Sequence, residues 1–69
     1  MKEKNVNISA EKSNENVITV RGEGNNKSTA RRVALRRAEE TAGGQPFDIL
    51  NERYSPQGTD WWCFLTISF

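Results

Sequence analysis

Histidine is absent from this sequence. That removes the commonest general base and metal ligand at neutral pH. Cysteine occurs once, at Cys63, so the chain can form no intrachain disulfide and no zinc site of the usual Cys/His kinds. Small secreted domains usually need such staples. No apolar run approaches the roughly 18 residues of a spanning helix, so no membrane partner is expected. The N-terminus leads into polar sequence without an apolar core segment, so no signal peptide is expected and the expected location is the cytoplasm. A mature periplasmic domain with a new start methionine would read the same. Charge of one sign is lacking too: ten Lys and Arg face nine Asp and Glu. The global balance therefore draws the chain toward neither nucleic acid nor anionic membranes, and electrostatic arguments must rest on local clusters.

With 69 residues, the chain makes one domain, 1–69, with a frayed tail expected at 1–5. A chain this short buries only about 60% of the surface its unfolded form exposes. Its stability margin is thin, and docking on a partner or a second copy would add to it. The aromatics lie in the C-terminal third, at Phe47, Tyr54, Trp61, Trp62, Phe64 and Phe69.

Val6, Ile8 and Ala10 alternate with polar residues at the period of a half-buried strand. Asn16 to Arg21 reads as a second strand, able to pair with the first as a hairpin. Gly22-Glu23-Gly24-Asn25-Asn26 reads as a break, and Ser28 as the N-cap of a helix from about Thr29 to Ala42. Ala30, Ala34, Ala38 and Ala42 recur every fourth residue, a face of small side chains that lets a helix lie close on a sheet. Gly43-Gly44 and Pro46 end the helix. Phe47 to Tyr54 reads as a strand, Ser55-Pro56-Gln57-Gly58 as a turn, and Trp61 to Phe69 as the last strand. The expected fold is α+β: an antiparallel sheet of three or four strands (ββαββ or βαββ) with one helix packed on one face.

Side chains alternate across a strand. Trp61, Cys63, Leu65, Ile67 and Phe69 therefore share one side of the last strand and should face the helix. Trp62, Phe64, Thr66 and Ser68 share the other. In the preceding strand, Phe47 and Ile49 should point inward, and Leu50, Glu52 and Tyr54 outward. The open face would then gather Leu50, Tyr54, Trp62 and Phe64, an apolar surface of the kind that marks interaction sites. The bland alternative is that a second copy or the N-terminal segment covers it.

Gly22 to Thr29 lies between strand and helix and resembles a phosphate-binding P-loop at Lys27 and Ser28. Asn26 stands where that motif needs glycine, and the loop is one residue short. A plain glycine turn explains it better, although amides at a helix start bind anions generally. Arg31, Arg32, Arg36 and Arg37 precede Glu39 and Glu40 along the helix. A solvated face with weak pairs such as Arg36–Glu40 is the simple reading. Yet this order opposes the helix dipole, at about 0.3–1 kcal/mol per charge, and Lys27, Arg31 and Arg32 form a local basic cluster.

The run Val20-Arg21-Gly22-Glu23-Gly24, followed by Ala30, Ala34 and Ala38, resembles the strand–glycine–alanine-helix pattern of several small bacterial envelope domains. In length and element order, ending in Phe69, the chain is also similar to dodecins, small flavin-storage proteins. Dodecins place a flavin-stacking tryptophan just before the second strand. Here Gln45-Pro46-Phe47 holds that place, so no flavin site is carried over and no cofactor is expected.

The expectation is therefore a non-catalytic binding protein. It would be a regulator or inhibitor docking on a protein or nucleoprotein complex through Lys27, Arg31, Arg32, Arg36, Tyr54, Trp62 and Phe64. One alternative is a module that binds nucleic acid directly, with bases on the aromatics and phosphates on the basic cluster. Another is a homodimer or larger homo-oligomer that holds a ligand between aromatic faces.

Overall fold

A computed structural model describes residues 16–69. The element order is β1 (Val17–Gly24), α1 (Lys27–Ala42), β2 (Asp48–Gln57) and β3 (Asp60–Ser68). The strands form one antiparallel sheet in the order β1-β3-β2, so β3 is central. The helix crosses one face, packing mainly on β1 and β3. This is the expected α+β fold. The expected strand over Val6–Ala10 lies outside the described residues.

The alanine stripe does what its spacing implies. Ala30, Ala34 and Ala38 are fully buried and join Cys63, Leu65 and Ile67 in the core. Val20, Leu35, Phe47, Tyr54, Trp61 and Phe69 pack around them. The core is thin because alanine contributes little apolar area. What it gains is close approach of helix and strand.

That approach explains the glycines. The sequence reading places Gly22 and Gly24 in a loop, whereas both are strand residues. Gly22 pairs with Cys63 and Gly24 with Trp61, so both turn toward the helix. A Cβ at Gly22 would collide with the Ala34 nitrogen and Ala30 carbonyl oxygen and lie 2.8 Å from Ala34 Cα. These glycines are spaces for the helix backbone, not a phosphate cradle.

The helix begins earlier than its sequence suggests. Asn26, not Ser28, is the N-cap: its backbone is extended and its Oδ1 accepts from the Thr29 N–H at 2.8 Å. At the other end Gly43 takes a left-handed φ of 66°. The Gly43 and Gly44 N–H groups donate to the backbone carbonyls of Glu40 and Glu39, closing the last turn.

β2 extends through Ser55-Pro56-Gln57, which the sequence reading assigns to a turn. β2 is an edge strand, where a missing proline donor is tolerated. The reversal is confined to Gly58-Thr59, with Gly58 at φ 63°. One irregularity interrupts the pairing of β2 with β3, between Ile49 and Asn51. Leu50 is the extra residue and is 57% exposed.

Candidate functional site: the outer face of the sheet

The alternation expected along β3 holds through Ile67, whereas Ser68, expected on the open face, is buried. Cys63, Leu65 and Ile67 lie buried beneath the helix, while Trp62 and Phe64 stand half-buried on the opposite face. Antiparallel pairing places Val17, Thr19, Arg21 and Glu23 of β1 on that face. From β2 it receives Asp48, Asn51, Arg53, Ser55 and Gln57. Among the described residues, no second layer covers it.

Four side chains organise the centre. The Trp62 and Phe64 rings meet edge to face, with centroids 6.1 Å apart and planes at 77°. The Arg21 guanidinium lies 4.1 Å from the Trp62 ring centroid. The Arg53 guanidinium lies 5.0 Å from that of Phe64. Cations placed over rings in this way are held by the ring quadrupole. Arg21 and Arg53 come from the two edge strands and both pair across to Phe64 on β3. The sequence reading overlooks both. Arg21 could have been found, because alternation with Thr19 already turns it outward.

The two arginines differ in their partners. Arg21 is tied to Glu23 at 3.0 Å, and the same carboxylate receives Arg37 from the helix at 3.1 Å. Arg37 also donates to the Arg21 carbonyl at 2.6 Å. Asn16 and Phe69 exchange both ladder bonds, so the Arg21 carbonyl faces away from β3, toward an edge that is unpaired among the described residues. Arg37 thus caps part of an open edge. Its hydrogen bond, followed by those from Arg21, holds the Glu23 carboxyl below the usual range despite some desolvation. Arg53 makes no hydrogen bond or ion pair among the described residues.

Tyr54 is the correction. The sequence reading turns it outward, but the Leu50 bulge reverses the parity of everything after it. Tyr54 pairs with Cys63 and packs against the core. Glu52 pairs with Leu65 and also faces the helix side. There the Tyr54 hydroxyl donates to Glu52, which accepts from Arg31 Nε at 3.0 Å. Donation to Glu52, followed by burial, pushes the Tyr54 phenol up to about 12. The same bond, followed by Arg31, lowers the Glu52 carboxyl. Burial raises the Cys63 thiol and leaves it less reactive.

The basic helix start lies on this inner side too. Lys27 Nζ stands 4.7 Å from the Trp61 ring centroid and 5.6 Å from that of Tyr54. Arg31 is spent on Glu52. Arg32 and Arg36 are exposed and make no ion pair among the described residues, so the expected Arg36–Glu40 pair does not form. The seven sequence-predicted residues therefore do not make one surface. Trp62 and Phe64 share the outer face. Lys27, Arg31 and Tyr54 gather on the helix side, and Arg32 and Arg36 remain on the helix itself.

Among the described residues, no group of His, Cys, Asp and Glu could hold a metal ion, and no helix is long and apolar enough to cross a membrane. No protein-family model matches the chain, and no curated protein or solved structure matches it significantly.

Proposed function

We propose that this chain is a non-catalytic binding protein, a regulator or inhibitor that docks on a protein through the outer face of its sheet. One observation carries the reading. Trp62 and Phe64 stand together on a sheet face with no second layer among the described residues, with an arginine over each ring. Aromatic and arginine side chains are the types most enriched at binding hot spots, and near the centre of an interface each can contribute several kcal/mol. The arrangement is also pre-ordered, because ring–ring and cation–ring contacts fix the side chains before a partner arrives. That lowers the entropy cost of docking.

The test is affinity capture from host cells with wild-type and Trp62→Ala baits. Circular dichroism would show whether both are equally folded. Loss of the same partner from the folded variant supports the reading, and equal capture refutes it.

A further inference from the structure

The two guanidiniums on the outer face are not equivalent, and the difference bears on what the face can bind. Arg21 has its fork occupied by Glu23, which Arg37 also engages. Arg53 is held over Phe64 with all its donors uncommitted among the described residues. Its neighbours on the same face carry no charge: Asn51 and Ser55 flank it along β2, and Phe64 stands across from it. The Ser55 hydroxyl is itself occupied, accepting from Gln57 at 3.0 Å. Among the described residues, the centre of the face is thus one unpaired cation, positioned over Phe64 beside two aromatic rings.

We infer that the outer face recognises a protein segment in which a single Asp or Glu carboxylate adjoins a large apolar side chain. The inference rests on the docking face proposed above and names its ligand chemistry. The carboxylate forks onto Arg53, the bidentate geometry for which a guanidinium is suited. The apolar side chain covers Trp62 and Phe64, which exclude water from the ion pair and strengthen it.

A nucleic-acid strand fits less well. Glu23, Asp48 and Asp60 share the outer face with Arg21 and Arg53. The face carries three carboxylates against two guanidiniums, so a run of phosphates gains little net attraction there, whereas a single carboxylate needs only Arg53. Strand binding draws its affinity from several phosphate contacts at once.

The experiment is selection from a random peptide library displayed on phage, with the intact chain immobilised. Enriched sequences should place Asp or Glu beside Leu, Ile, Met, Phe or Trp. A synthetic peptide of that sequence should lose at least about tenfold in affinity when its carboxylate becomes the amide, and again when the chain carries Arg53→Glu. Arg53→Lys should weaken it less, and Arg32→Glu should leave it unchanged. Circular dichroism would confirm that each variant is folded. The inference is overturned if no sequence enriches, if enriched peptides lack the acidic residue, or if Arg53→Glu binds normally. It also fails if the face instead binds an oligodeoxythymidylate in a Trp62-dependent, salt-sensitive way. Peptide binding that needs Trp62 but not Arg53 removes this inference and leaves the docking face standing. Binding indifferent to Trp62→Ala removes both.

Discussion

Gly22 lies so close beneath Ala34 that a single methyl group at Gly22 would collide with the Ala34 backbone nitrogen. The atoms in the way are backbone, so no side-chain rotation relieves the clash. Gly22→Ala should therefore destabilise the domain by about 3 kcal/mol or more, at the upper end for overpacking. For so small a domain that is a large share of total stability. Urea unfolding would check this. A midpoint within error of wild type would show that a Cβ at Gly22 has room beneath the helix.

The position of the helix start can be tested by paired substitutions. Asn26→Ala should cost about 1 kcal/mol by removing the acceptor for the Thr29 amide. Asn26→Asp should restore most of it, whereas Ser28→Ala should change stability little. Thermal denaturation of the three variants separates these outcomes. A larger loss from Ser28→Ala would return the cap to the position suggested by sequence alone.

Tyr54 is the only tyrosine, so phenolate absorbance in the near ultraviolet reports it alone. Its midpoint should lie near 12. Because the folded value is raised, its contribution to stability is complete below the ordinary tyrosine value of about 10 and is lost as pH rises through the folded value. Glu52 has the opposite sign. Its lowered carboxyl contributes above the ordinary glutamate range and stops contributing as pH falls through the folded value. Glu52→Gln should move the Tyr54 midpoint back toward about 10. An unchanged midpoint would show that the hydroxyl donates elsewhere.

Much of this fold is legible in the sequence, for reasons that can be named. Apolar alternation along β3 is strict enough to sort Trp61 from Trp62. Four-residue alanine spacing fixes the buried stripe of the helix. Failures occur where one residue type serves two purposes. Gly22 and Gly24 read as a turn because glycine marks both turns and close backbone approach. Asn26 and Ser28 are both good caps, and only the backbone geometry separates them. Pro56 reads as a turn because the sequence does not say that β2 is an edge. The Leu50 bulge has no marker, since Ile49 and Leu50 are both apolar and no glycine lies nearby. That one extra residue is what turns Tyr54 from the outer face to the helix side. Of the candidate site, the rings were readable. Arg21 sits on a strand distant in sequence from the rings, and the place of Arg53, on the neighbouring strand, depends on the register that the Leu50 bulge shifts.

The most direct test of the docking face is the affinity of one captured partner for matched variants of its two sides. Trp62→Ala and Phe64→Ala should each raise the dissociation constant by at least about tenfold with the fold intact. Arg32→Glu on the helix should leave it within about twofold, since exposed charges outside an interface contribute little. If Arg32→Glu abolishes binding and both aromatic substitutions leave it unchanged, the partner docks on the helix and the outer face is not the site.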